Sequence, residues 1–115
     1  MVADTIGTIK SRRLLKVLLD SGSTTTLINK RCLPRKCQPS KTSQNRMVNT
    51  LAGSYISSAM VIMRNLRPEL DKNRNVEQHK ALIFESDNCE YDVILGADFL
   101  TKTGIDVKYI EILIS

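Results

Sequence analysis

Asp20-Ser21-Gly22-Ser23 is where this chain puts a carboxylate on a footing that could hold it for chemistry. The aspartate follows directly on Leu18-Leu19, so it leaves an apolar run at a fixed point and enters residues that all favour turns. Gly22 lets a ligand or a second backbone approach closely. Ser21 and Ser23 can hydrogen-bond the carboxylate or neighbouring main chain. A carboxylate held in this way can give or take a proton at a reacting group. Taken alone, Asp-Ser-Gly is also an ordinary turn. The other reactive side chains are poorly served. Cys32, Cys37 and Cys89 accompany a single histidine, His79, and their spacing draws no four-ligand zinc site. A thiol nucleophile needs a histidine partner, and nothing around Cys89 and His79 supports one. The thiols read as packing residues, and no metal or other cofactor is expected.

The elements that would position Asp20 follow from the apolar pattern. Thr5 to Ile9 reads as a short strand. Arg13 to Leu19 is nearly continuous apolar, as expected of a strand buried on both faces. Thr24 to Asn29 resumes as a β-branched strand. Residues 30–46 hold Pro34 and Pro39 and read as loop with one helical turn. Residues 46–63 read as a hairpin whose turn is Leu51-Ala52-Gly53-Ser54. Residues 64–75 are charged, contain Pro68 and read as exposed loop. Val76 to Phe84 is a strand, Ser86 to Asn88 a turn, and Tyr91 to Leu95 a further apolar strand stopped by Gly96. Ala97 to Thr103 fits a short helix with Gly104 as its stop. Ile105 to Val107 and Tyr109 to Ile114 read as final strands. Seven or more short strands and one short helix make an all-β domain with a closed or folded sheet.

Composition bounds the rest. The chain has 115 residues, 42% of them apolar and 25% charged, so it reads as one ordinary globular domain over 1–115. No apolar run reaches the roughly 18 residues of a membrane span, and none suits a secretory leader. An odd number of cysteines without such a leader suggests a reducing compartment. The aromatic fraction of 4% with no tryptophan speaks against base-stacking platforms. Charge is divided unevenly. Residues 1–68 carry 12 Lys/Arg and 2 Asp/Glu, a net of +10, and residues 69–115 carry 5 and 10, a net of −5. The basic half could meet phosphates, or the two halves could attract each other within or between subunits. No nucleic-acid recognition motif accompanies the scattered basic residues, so RNA contact lacks support.

A second motif changes the weight of the first. Leu18-Leu19-Asp20-Ser21-Gly22-Ser23, followed far downstream by Ile94-Leu95-Gly96-Ala97-Asp98-Phe99-Leu100-Thr101-Lys102-Thr103-Gly104, resembles the retroviral-type aspartic proteases. The likeness is greatest to those that long-terminal-repeat retrotransposons encode in their Gag-Pol polyproteins, and it spans about residues 5–109. The resemblance implies a retropepsin-like closed barrel with one short C-terminal helix, one lobe of a homodimeric acid protease. It makes Asp20 the catalytic carboxylate, and it makes Ile94, Leu95 and Gly96 the strand that crosses behind the turn in support. Ser21, Gly22 and Ser23 would form the active-site turn and lock the two subunits. Gly22 and Thr24 would offer main-chain groups to an extended polypeptide substrate, and Ala52, Gly53 and Ser54 would close over it as a flap. Pocket walls are expected among Leu27, Ile28 and residues near Tyr55.

Aspartic proteolysis needs two carboxylates about 3 Å apart that share one proton around a water. One chain offers one such turn, so a symmetric homodimer is implied, with both Asp20 residues on the two-fold axis. The expected substrate is the element's own Gag-Pol precursor, in a cytoplasmic virus-like particle or polyprotein context, with no membrane partner. Many retroviral members have alanine in place of Ser23. A hydroxyl there can bond the carboxylate, which predicts a more acidic working range than in Ser23→Ala. Many also have an aspartate–arginine pair where this chain has Thr24 and Ala97. Asp98, near the start of the helix, reads as structural and favoured by the helix dipole. The flap holds one glycine. The tail Tyr109 to Ser115 either builds the dimer interface or is a cut end. A rival to the protease is the same fold kept as a catalytically silent dimerisation or peptide-binding module.

Overall fold

The structure, a computed structural model, describes residues 1–67 and 76–104. Eight strands, a 3₁₀ turn and one helix lie within them. Strand β1 (Val2–Ile6) turns at Gly7-Thr8 into β2 (Ile9–Lys10), so the strand expected over Thr5 to Ile9 is a tight hairpin. β3 (Val17–Leu19) is shorter than the apolar run that predicts it. Leu14, in that run, is 63% exposed and makes only one isolated bridge, to Val2. β4 (Leu27–Asn29) is also shorter than expected, because Thr24 to Thr26 are spent on the loop that follows Asp20. The single helical turn foreseen after it is Lys30–Cys32, capped by the Asn29 side chain.

The hairpin is longer than its sequence signal. β5 (Ser40–Thr50) and β6 (Gly53–Arg67) meet at a turn of Leu51-Ala52, and their register shifts between Lys41 and Arg46. β6 serves three neighbours. Its first half pairs with β5 as a projecting arm, and its second half pairs with β1 and with β7 (Val76–Phe84). Those remote partners carry the strand through Arg64 to Arg67, where local sequence reads as loop. β8 (Val93–Leu95) leads through Gly96 into α1 (Ala97–Thr103), which ends at Gly104 in the left-handed region, φ 69°. The final strands expected over residues 105–107 and 109–114 lie outside the described residues.

The sheet runs β2-β1-β6-β7-β4-β8-β3, with β5 on β6. Its interior pairings mix directions. β4 is parallel to β7 and antiparallel to β8, and β8 is parallel to β3. Side chains of β4, β7 and β8 alternate between two cores, as the two-residue strand period requires. Ile28, Ile83, Val93 and Leu95 join the larger core with Phe99 and Leu100 of the helix. Leu27, Leu82, Phe84 and Ile94 join a smaller one beneath the hairpin, with Val48 and Tyr55. Both faces are covered at Leu27-Ile28, Ala81 to Phe84 and Val93 to Leu95, which is why those stretches read as unbroken apolar runs. The fold is thus mostly β with one short helix. The path has two ends, β2 and β3, and no ladder joins them among the described residues. The Val2–Leu14 bridge, the Leu15 N–H donated to Met1 O and the Met1 ammonium donated to Leu15 O tie the approach to β3 back to the start of β1.

Candidate active site

Asp20 sits where β3 runs out. Its N–H still donates to Leu95 O at 2.9 Å, one further rung of the β3–β8 ladder. From there the chain leaves the sheet and loops around β8. Ser23 N–H donates to Asp20 O at 3.1 Å and closes the turn. Ala97 N–H donates to Ser23 O at 2.7 Å, and Gly96 N–H to Thr26 Oγ1 at 3.2 Å, so residues 20–26 clasp the end of β8. The clasp is too tight for a side chain. A Cβ on Gly96 would lie 2.6 Å from the carbonyl carbon and oxygen of Thr25 and 2.7 Å from Ser23 O.

The Asp20 carboxylate is 2% exposed, and both its oxygens accept backbone amides. Gly22 N–H donates to Oδ1 at 3.0 Å, within the turn. Leu51 N–H, at the tip of the β5–β6 hairpin, donates to Oδ2 at 2.8 Å. The hairpin therefore lies over the turn, as the expected flap would, and it meets the carboxylate through main chain. The arm is steadied by its own bonds. Tyr55 OH donates to Ala52 O at 2.9 Å with its ring on Phe84, centroids 4.4 Å apart, and Thr50 Oγ1 donates to Gly53 O at 2.8 Å. Burial raises the Tyr55 phenol above its ordinary value, and the neighbouring Cys89 thiol adds to this.

A model of the family described as gag-polyprotein putative aspartyl protease matches residues 6–102. The chain belongs to that family. No curated protein and no solved structure matches it. The aspartyl protease domain accounts for the joint appearance of the Asp20 turn, the Gly96 crossing and the helix behind them.

The structure places the expected site residues on the Asp20 turn, at the hairpin tip and on the strand behind the turn. Gly22 and Thr24 are exposed on the turn, and Ser21 is exposed beside them. Ala52, Gly53 and Ser54 lie at the hairpin tip, where Ser54 Oγ donates to Asn49 Oδ1 at 2.7 Å. Ile94, Leu95 and Gly96 lie directly behind Asp20. Two readings need correction. The Ser23 hydroxyl is fully buried and gives its one proton to Thr25 O at 2.8 Å, so it bonds the loop and not the Asp20 carboxylate. The acid-range argument for Ser23→Ala loses its basis. Leu27 and Ile28 are 0% exposed and belong to the two cores, which removes them as pocket walls in this chain.

Sequence reasoning missed three participants. Leu51 acts through its amide, which no side-chain pattern reveals. Thr26 looks like one more β-branched residue of a strand. His79 is a lone histidine in the polar first half of its strand, between Gln78 and Lys80, and only the fold brings it within 3.0 Å of Thr26 Oγ1. Asp98 accepts from Thr26 Oγ1 at 2.8 Å, from Thr26 N–H at 3.2 Å and from Phe99 N–H at 2.8 Å, which is a structural duty. Burial pushes the Asp98 carboxyl upward, but donation from His79 and from both Thr26 groups outweighs it and leaves the group below the ordinary range. The thiols pack: Cys32 and Cys89 are buried and Cys37 half-buried, all three free. Burial, with the Asp92 carboxylate it donates to at 3.0 Å, pushes Cys32 up to about 12.

Proposed function

We propose that this chain is an aspartic endopeptidase that works as a symmetric homodimer and processes the Gag-Pol polyprotein of a retrotransposon-like element. One observation carries the reading. Each chain supplies one Asp-Ser-Gly turn, and its carboxylate is buried, held by amides and braced from behind by the Gly96 crossing. A single carboxylate cannot be ionised and protonated at once, as taking a proton from the water while giving one to the carbonyl oxygen requires. Two copies of Asp20 meeting on a two-fold axis can.

In that dyad the ionised carboxylate takes a proton from the water between the pair. The water oxygen bonds to the scissile carbonyl carbon, and the protonated carboxyl gives its proton to the carbonyl oxygen. The tetrahedral diol then collapses. The C–N bond breaks, the leaving nitrogen takes a proton from the dyad, and one diol hydroxyl returns one. The pair ends with the single proton it began with, and the two titrations belong to the pair. An extended substrate would lie between the turn and the flap as an added strand, bonded by main chain near Gly22, Thr24 and residues 52–54. It would have to displace the Leu51 N–H from Oδ2, so opening of the hairpin precedes binding. Ser21, exposed on the turn, would reach the partner subunit. The proposal includes a single domain over 1–115 whose sheet closes into a barrel, a step the Val2–Leu14 bridge favours. Its setting is a cytoplasmic particle or polyprotein.

The test is cleavage of a mixed peptide pool at mildly acidic pH over a series of protein concentrations, with Asp20→Asn alongside. A rate that rises faster than linearly at low concentration and vanishes in the variant is expected. A folded dimer that cuts nothing, and that binds peptides equally well with Asp20→Asn, would replace the enzyme with a silent peptide-binding module.

A further inference from the structure

Behind the catalytic turn, on the side away from the flap, lies a polar cluster that proteolysis by Asp20 does not itself require. His79 of β7 is 4% exposed. Its Nε2 lies 3.0 Å from Thr26 Oγ1 and 3.2 Å from Asp98 Oδ2, and its Nδ1 lies 3.1 Å from Lys102 Nζ. The Phe99 ring meets the imidazole edge-on, centroids 5.1 Å apart at 84°. The donors and acceptors sort uniquely. The Lys102 ammonium can only donate, so Nδ1 accepts. Nε2 then carries the proton and points it at two oxygens. Thr26 Oγ1 has one proton and two lone pairs. The proton goes to Asp98 Oδ1 at 2.8 Å, one lone pair takes Gly96 N–H at 3.2 Å, and the other is left for His79.

We propose that His79 is a positioning residue for the protease: as the Nε2–H tautomer it locks Thr26 and Asp98, and through Thr26 it fixes the Gly96 crossing against which Asp20 is set. The chain of contact is short. Thr26 holds Gly96 N–H, the preceding residue's carbonyl holds Asp20 N–H, and the following residue's N–H holds Ser23 O. Three elements distant in sequence thus converge on the loop that carries the carboxylate. The charged groups facing the imidazole are Asp98 and Lys102, both from α1. The alternative is a histidine that merely fills space beside Phe99.

The inference rests on the protease reading, so its test carries a readout that does not need turnover. In the full chain, His79→Leu and Thr26→Val remove the donor and the hydroxyl with little change of volume. His79→Gln and Thr26→Ser restore them. With active sites titrated, the first pair is expected to lower kcat about a hundredfold, the scale of a small misplacement of reacting groups. KM should stay within about threefold, the pH–rate profile should shift, and the second pair should recover most of the loss. Carboxyl carbon NMR of Asp20 should show the titration midpoint displaced in the first pair and returned in the second. An unmoved midpoint with unchanged kcat in His79→Leu, or equal losses in His79→Leu and His79→Gln, overturns the proposal. Should His79→Leu fail to fold, ring nitrogen shifts decide. The wild type should show Nε2–H, with Nδ1–H gaining population in Lys102→Met, and a wild-type Nδ1–H tautomer overturns the assignment. A wild type that cuts no peptide, yet shows the Asp20 displacement in His79→Leu, would sink the protease reading and leave the coupling in place.

Discussion

Gly96→Ala puts one methyl group into the tightest contact of the site. Its Cβ would lie 2.6 Å from Thr25 C and O, about 0.8 Å inside the 3.4 Å at which ordinary contact begins. Those atoms are backbone, so no rotamer change relieves the clash, and residues 23–25 must retreat from β8. The retreat pulls on the 2.7 Å bond from Ala97 N–H to Ser23 O and on the 3.2 Å bond from Gly96 N–H to Thr26 Oγ1. Overpacking costs about 1–3 kcal/mol, and a buried donor left unsatisfied costs about as much again, so a loss of roughly 2–6 kcal/mol is expected. That approaches the whole stability of a small domain, about 5–15 kcal/mol. Whatever remains folded should carry Asp20 out of place and lose about a hundredfold in kcat. Urea unfolding followed by circular dichroism gives the first quantity. Single-site-titrated peptide cleavage gives the second. Gly22→Ala is the matched control for stability, because its Cβ would press only on Asp20 Oδ1, at 3.2 Å, a side-chain contact that a shift of a few tenths of an ångström relieves. It should cost about 1 kcal/mol or less. A Gly96→Ala protein as stable and as fast as the wild type would refute the view that Gly96 is the brace of the turn.

Other outcomes follow from the same contacts. Tyr55→Phe removes the OH that steadies Ala52 O, and at about 1 kcal/mol for the bond the Leu51 amide should exchange with solvent about fivefold faster, an effect absent if the flap is held elsewhere. Cys32, raised from 9.0 to about 12, should alkylate with iodoacetamide at pH 8 about a thousandfold more slowly than in the urea-unfolded chain, and equal rates would refute its burial against Asp92. Asp98 titrates lower in the folded chain than its ordinary 3.8, so its contribution to stability is present above that value and fades as pH falls through the folded one. Asp98→Asn should therefore flatten the acid limb of the stability curve below about pH 4, and an identical limb in both proteins would count against the His79–Thr26–Asp98 cluster.

Local chemistry made part of this protein legible in one dimension. Val76–Phe84 and Ala97–Thr103 have the bounds their residues predict, because the apolar stretch Ala81 to Phe84 carries the strand up to a turn at Ser86 and a helix before glycine has its stop built in. The Asp20 turn and the Gly96 break were readable for the same reason: residue type alone sets what the backbone does there. The run from Arg13 to Leu19 misled because apolar character marks burial and not extension. Leu15 is buried while Leu14 points to solvent, and only Val17–Leu19 find a ladder. β6 outran its local signal because β1 and β7 pair with its far end.

Tertiary structure alone decided which groups touch the carboxylate and what stands behind it. Leu51 reaches Asp20 from 31 residues away through an amide that every non-proline residue possesses. Thr26 meets His79 at a separation of 53 residues and Asp98 at 72. A hydrogen bond at such range depends on strand order and register, and these are settled by the pairing of the whole sheet, so no window of sequence holds them.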